Sequence, residues 1–227
     1  MSKSLGNFYT LRDLVLKGHK PSSIRYLLSS VPYRHQLNFT FGGLQQAAAS
    51  VERLRNFRLR LQTTNFPAGS NLSLATLANE TSARVRDALN EDLNTAQAQA
   101  ALFDMVRVAN AAIDAGEMKQ ADAPPLLSTL DQFDEIFAVL KDDDAGKMQR
   151  VADWARSEGR EKDISPELIE ALRSNALSDE QVNQKVEQMN AARTAKNFAA
   201  SDAIRAALTA NGILIEQTKE GVRWRRK

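Results

Sequence analysis

LQQAAASVERLRNFRLRL, residues 44–61, decides the fold class. Val51, Leu54, Leu61 and the neighbouring alanines share one face, and Arg53, Arg55, Arg58 and Arg60 are spread elsewhere, so the stretch predicts one long amphipathic helix. Towards the C-terminus, Phe66-Pro67-Ala68-Gly69-Ser70 breaks it. Two further helices are predicted over about 72–89 and 95–115, the second capped by Asn94 or Thr95. Pro124 and Pro125 open another that runs to about Leu140, with Leu126, Leu127, Leu130, Phe133, Ile136, Phe137 and Leu140 as its buried stripe. Helices of this length joined by short loops make an antiparallel bundle.

Towards the N-terminus, Thr10 with Asp13 reads as a capping box opening a short helix, and Pro21 opens another through Ser30. Val31 to Phe39 contains Pro32 and reads as an extended connector. Beyond the bundle, Lys141 to Lys147 is a polar break and the candidate linker. A smaller unit follows. One helix opens at Ser165-Pro166, Ser178 with Gln181 caps the next, and a third runs from about Phe198 to Ala210 before Asn211-Gly212. Ile213 to Glu216 and Val222 to Arg226 then alternate around Lys219-Glu220-Gly221 as a hairpin. The expected fold is mainly α: an antiparallel helical bundle followed by a small helical unit ending in a β-hairpin.

The composition narrows the chemistry. With 43% hydrophobic and 26% charged residues among 227, this is ordinary globular content. Mean hydropathy is -0.41 and no apolar run approaches 18 residues, which argues against a membrane-spanning helix. MSKSLGNFYT has no apolar core, so no secretory signal is read there and a cytosolic chain is expected. The absence of cysteine removes disulfides, thiolate catalysis and every Cys-ligated metal site. With only His19 and His35, Ser-His-Asp catalysis and a His-rich metal centre are disfavoured. Charge is segregated along the chain. Residues 1–60 hold ten Lys/Arg against two Asp/Glu, residues 193–227 hold eight against three, and those between hold twelve against twenty-three. Such asymmetry points to a polyanionic partner for the two ends.

Met1-Ser2-Lys3-Ser4, followed by Leu5-Gly6-Asn7-Phe8, resembles the tail of the KMSKS signature of class I aminoacyl-tRNA synthetases. The extension is more specific. MSKSLGNFYTLRDLVLKG (1–18), IRYLLSSVPYRHQLNF (24–39), DALNEDLNTAQAQAALFDMV (87–106) and RTAKNFAASDAIRAALTANGILIEQTKEGVRWRRK (193–227) resemble cysteinyl-tRNA synthetases in order and spacing. The resemblance covers the family's C-terminal part and is weakest over about 115–190. It implies a bundle of the class Ia anticodon-binding type, divided as 1–40 (signature loop and stem-contact connector), 41–145 (a DALR-type tRNA-binding bundle) and 146–227 (a small anticodon-binding unit). It implies cysteine tRNA as partner, together with a catalytic domain whose HIGH motif is not seen here. No membrane partner is expected, and a monomer is. For the whole enzyme it implies ATP, Mg²⁺ and zinc, none of them assigned to this chain. The family selects cysteine with a zinc held largely by cysteines, and this sequence has none. A different class of reading is a free-standing, non-catalytic paralogue whose bundle binds a protein partner or another RNA.

The resemblance also assigns residues. Lys3, with Ser2 and Ser4, matches the loop that contacts ATP phosphates as adenylate forms, an electrostatic role; the plain alternative is an N-terminal tail. Arg12, Lys17, Lys20 and Arg34 are candidate contacts to tRNA phosphates, while Tyr33 and Phe39 are expected to pack the connector on the bundle. Asp92 and Asn94 match a family hallmark that a helix cap explains. Arg193, Lys196, Asp202, Arg205, Gln217, Trp224, Arg225 and Arg226 match the anticodon-reading segment. Arginines can pair with a guanine edge and Asp202 can accept from an exocyclic amine. An Asp202–Arg205 surface salt bridge at i,i+3 is the competing reading. Phe198 and Trp224 are expected in the core, with Trp224 a possible stacking face. Gln217 stands where the family has an aspartate, so base contact is retained with altered selectivity.

Overall fold

The computed structural model describes residues 8–174, 177, 179–218 and 221–226. They form two compact units, one built from residues 21–142 and the other from the N-terminal residues up to Lys20 together with those from Asp143 onward.

The N-terminal helix α1 (Leu11–Leu16) belongs to the second of these, and the 21–142 unit is a bundle of α2 (Pro21–Leu28), α3 (Phe41–Thr63), α4 (Leu72–Asn90), α5 (Thr95–Asp114) and α6 (Ala123–Phe137). Helix α2 ends two residues before the predicted Ser30. Helix α3 starts three residues earlier than its periodicity suggests, because the Thr40 hydroxyl accepts from the Gly43 amide at 2.9 Å. Leu44, Ala47, Val51, Leu54, Phe57 and Leu61 line its buried face. Asn71 caps α4 and Asn94 caps α5, each through its side-chain oxygen. Helix α5 is the most deeply buried, with Ala98, Ala101, Leu102, Met105, Val106 and Ala109 fully enclosed. α4 packs on α5 and α6, and α3 on α2, α5 and α6.

Helix α6 stops at Phe137, not Leu140. Ala138 turns left-handed at φ 51°, and the Asp134 carboxylate accepts from the amides of Val139 and Leu140, both at 2.7 Å. The turn re-aims the chain so that Val139 and Leu140 are buried while Ile136, expected in the stripe, is 54% exposed. Phe133 and Phe137 stack at 4.0 Å between ring centroids.

The second unit contains α1, α7 (Asp144–Ser157), α8 (Pro166–Ser174), α9 (Asp179–Thr194), α10 (Phe198–Ala210) and the antiparallel pair β1 (Ile213–Thr218) and β2 (Gly221–Arg226). Sequence reading took 141–147 as linker, yet Asp144 already opens α7 and is buried. Helix α7 itself escaped it, because its buried stripe is only Met148, Ala152 and Ala155. The helix expected after Ser178 is α9; Ser178 lies outside the described residues. Helix α1 packs on α7, with the Arg12 guanidinium 4.2 Å from the Trp154 ring centre. At Gly18, left-handed at φ +87°, a β-carbon would sit 2.9 Å from Glu167 Cβ, so this approach of chain to α8 needs glycine. α9 and α10 form a helical hairpin on which β1 packs, with Val182, Leu208 and Ile213 fully enclosed.

The predicted capping box on α1 is present. The Thr10 hydroxyl accepts from the Asp13 amide at 3.2 Å, and the Thr10 amide donates to the Asp13 carboxylate at 2.8 Å. The Thr10 hydroxyl and amide together hold the Asp13 carboxyl below its ordinary value. Because the folded value is depressed, this stabilisation is complete above the unfolded carboxyl's range, near pH 4, and is lost as pH falls through the folded value. Thr10→Ala is expected to lower stability by about 1 kcal/mol at pH 7. It is also expected to lose less on acidification from pH 5 to pH 3 than the parent, as urea midpoints at the two pH values will show.

Candidate nucleic-acid interface

The junction of α9 and α10 builds the site. After Thr194 the chain turns tightly: the Lys196 amide donates to Arg193 O at 3.0 Å, and the Asn197 amide to Ala192 O at 2.9 Å. Lys196 is left-handed at φ 57°. The Asn197 side chain accepts from the Ala200 amide at 3.2 Å and caps α10. Helix α10 therefore folds back along α9. Phe198, Ser201, Asp202 and Arg205 sit at i, i+3, i+4 and i+7 on one face. That face and the end of α9 enclose a cleft of about 80 Å³, lined by Arg193, Phe198, Ser201, Asp202 and Arg205 over Met189 and Ile215.

Three of the residues expected to read bases, Arg193, Asp202 and Arg205, are thus brought to one cleft by different helices. All three are exposed. Among the described residues no ion pair joins Asp202 to Arg205, so the salt-bridge alternative has no support in this geometry, and the guanidinium and carboxylate groups are open to a ligand. Phe198, expected in the core, is 59% exposed and lines the same cleft. Sequence reading missed that role; the signal available was its position directly after the capping Asn197, a place on the rim. Lys196 is exposed in the turn and does not line the cleft. Trp224 is 8% exposed and donates from Nε1 to Asn183 Oδ1 at 2.7 Å, which is a core placement rather than a stacking face. Gln217 pairs across the hairpin with Val222, Arg225 with Leu214 and Arg226 with Ile213. Lys3, Ser2 and Ser4 lie outside the described residues.

A second polar cluster lies in the bundle unit. The Tyr33 hydroxyl donates to Asp92 Oδ1 at 2.9 Å, and Arg34 approaches the same carboxylate through Nε (3.0 Å) and Nη2 (3.1 Å). Asn94 is a helix cap as read, whereas Asp92 is not. It sits two residues before the capping position, in left-handed backbone with Leu93, and holds the connector instead. Tyr33 is 63% exposed, so it tethers through its hydroxyl and not by burial, while Phe39 is half-buried edge-on to Phe41.

The basic N-terminal stretch is largely occupied. Arg25 donates to the carbonyls of Ile136 and Phe137. Arg55 donates to Val139 O at 3.1 Å, Lys141 O at 2.9 Å and the Asp142 carboxylate at 3.1 Å. Arg58 pairs with Asp131 at 2.7 Å, and Arg60 with Asn110 and Asp114. Charge segregated along the sequence is therefore partly cancelled in space within the 21–142 unit, and it marks fewer free cations than its sum suggests. Arg12 rests on Trp154, and Lys17 lies 5.8 Å from the Tyr9 ring centre. Burial pushes the His19 imidazole below its ordinary value, with Lys17 adding to the effect. Among the described residues no cluster of three or more His, Asp or Glu is arranged to hold a metal ion, and no helix is long and apolar enough to cross a membrane.

Comparison with known proteins bears on this geometry. Residues 1–49 match the family of tRNA synthetases class I (C) catalytic domain, and residues 84–141 match the DALR domain. Over all 227 residues the chain is 59% identical to the cysteine--tRNA ligase of Koribacter versatilis and 44% to that of Solibacter usitatus. It is 37% identical to the cysteine--tRNA ligase of Escherichia coli, again over the whole chain. It spans 46%, 43% and 42% of those proteins, somewhat less than half of each.

Proposed function

We propose that this chain, which corresponds over its whole length to the C-terminal part of cysteine--tRNA ligases, binds tRNA and reads its anticodon in the cleft between α9 and α10. The observation that carries the reading is the convergence of Arg193, Asp202 and Arg205, with no ion pair among the described residues, on one small cleft with Phe198 exposed beside them. Reading a single-stranded loop requires a flat platform and fixed donors and acceptors for base edges. Phe198 supplies the first, and the two guanidinium groups and the carboxylate supply the second. Lys196, Gln217, Arg225 and Arg226 flank this reading surface by sequence and contribute phosphate or base contacts.

In the whole protein, Lys3 with Ser2 and Ser4 contacts the phosphates of ATP during activation of cysteine, and the chain described here holds the tRNA rather than catalysing alone. ATP and Mg²⁺ are substrates and cofactor of that step, and the zinc that the family uses belongs to residues this sequence does not contain. The protein works in the cytoplasm.

Binding of a cysteine tRNA transcript, compared with an anticodon-substituted one across a salt series, tests the reading. Preference for the native anticodon by tenfold or more, about 1.4 kcal/mol, is expected. Equal affinity for both with a steep salt dependence would reduce the interaction to phosphate contacts and overturn anticodon reading.

A further inference from the structure

The loop between α4 and α5 holds a cluster that packing does not explain. Asp92 and Leu93 take left-handed backbone in succession, at φ 56° and 53°, a conformation that non-glycine residues resist. Leu93 recovers nothing by burial, being 57% exposed. The turn ends α4, with the amides of Leu93 and Asn94 donating to the carbonyls of Leu89 and Ala88 at 3.1 and 2.9 Å, and in doing so it presents the Asp92 carboxylate to Arg34 and to the Tyr33 hydroxyl. The Arg34 and Asp92 side chains are 68% and 53% exposed. An ion pair so exposed contributes little to stability. Helix ending accounts for the turn but not for the acid placed in it, which neutralises a surface cation at little gain in stability.

We propose that Asp92 masks an RNA-phosphate contact: Arg34 is neutralised by Asp92 in the free protein and transfers to a phosphodiester when RNA is bound. The inference rests on the RNA-binding reading above and adds a gate to it, within the 21–142 unit. The exchange is chemically matched. A guanidinium fork fits phosphate as it fits carboxylate, and a phosphate contact releases condensed counterions, which breaking an exposed ion pair does little to oppose. Arg34 hydrogen-bonds Asp92 and Tyr33 through Nε and Nη2, and its guanidinium lies 5.4 Å from the Tyr33 ring centre. Its Nη1 donors engage no partner among the described residues, so a phosphate can dock before Asp92 lets go. The mask lowers affinity for any polyanion, and RNA that seats against the connector overcomes it.

Asp92→Asn isolates the charge. Asparagine suits left-handed backbone and keeps an acceptor for Tyr33. Affinity for the cysteine tRNA transcript is measured for the parent, Asp92→Asn, Arg34→Gln and the double variant between 50 and 200 mM salt, with far-UV circular dichroism confirming the helices. Asp92→Asn is expected to bind two- to fivefold tighter than the parent. Arg34→Gln is expected to lower the slope of log affinity against log salt by roughly 0.7–0.9, one phosphate contact. The double variant is expected to bind no tighter than Arg34→Gln alone. Unchanged or weaker binding by Asp92→Asn, or a gain that persists without Arg34, overturns the mask while leaving RNA binding intact. Failure of all four proteins to bind at 50 mM salt overturns both.

Discussion

Phe133→Ala is expected to lower the stability of the bundle by about 3–5 kcal/mol, read as a fall in the urea midpoint with the slope retained. Phe133 is fully enclosed in α6 and stacks on Phe137 at 4.0 Å. Its removal deletes a large apolar surface and leaves a space whose walls are parts of several helices. Those walls include Phe137 of the same buried stripe, which belongs to a helix pinned at its C-terminal end by Asp134, Arg25 and Arg55. A helix held at that end has little freedom to collapse into the void, which argues for the upper part of the range. A loss below 1 kcal/mol would mean that the bundle repacks freely and that the pinning is weak.

Arg205→Ala is expected to cost about 1–3 kcal/mol of affinity for cysteine tRNA, and to narrow the gap between native and substituted anticodons by the same factor. The side chain is exposed, lines the α9–α10 cleft and has no protein partner among the described residues, so folding stability should move by no more than about 0.5 kcal/mol. The pair of measurements separates base reading from general attraction. Equal losses towards both tRNAs, together with a shallower salt slope, would recast Arg205 as a phosphate contact. Arg193→Ala should act in the same direction, since its guanidinium reaches the cleft from α9.

The bundle was legible in the sequence because its helices are long and their apolar positions recur at a steady helical period over four or more turns. Helix α7 was not. Two of the three apolar residues it buries are alanines, and its first turn, Asp144-Ala145-Gly146-Lys147, has the composition of a linker. The end of α6 was misplaced for another reason. Ile136 and Leu140 continue the helical period, and only the reach of Asp134 to two amides beyond the helix reveals that the backbone has already turned.

The site divided in the same way. Asp202 and Arg205 lie on one helix, so spacing alone puts them on one face. That Arg193 meets them depends on the left-handed turn at Lys196, which no periodicity encodes. Asp92 and Asn94 were both attributed to a helix cap; Asn94 is the cap, and the two left-handed residues before it place Asp92 against Arg34 instead. Phe198 was expected in the core because so small a unit buries most of its aromatics, yet at the first position of a capped helix it stands at the rim, 59% exposed.

The left-handed Ala138 carries a further consequence. Glycine is the residue that ordinarily ends a helix in this conformation, and here the stop is written in side chains instead, by Asp134 bonding to the amides of Val139 and Leu140 and by the two arginines on the carbonyls around them. The instruction is distributed over residues distant in sequence. The turn therefore does not depend on the residue that makes it, and its hold lies with Asp134, Arg25 and Arg55 acting on one short stretch of backbone.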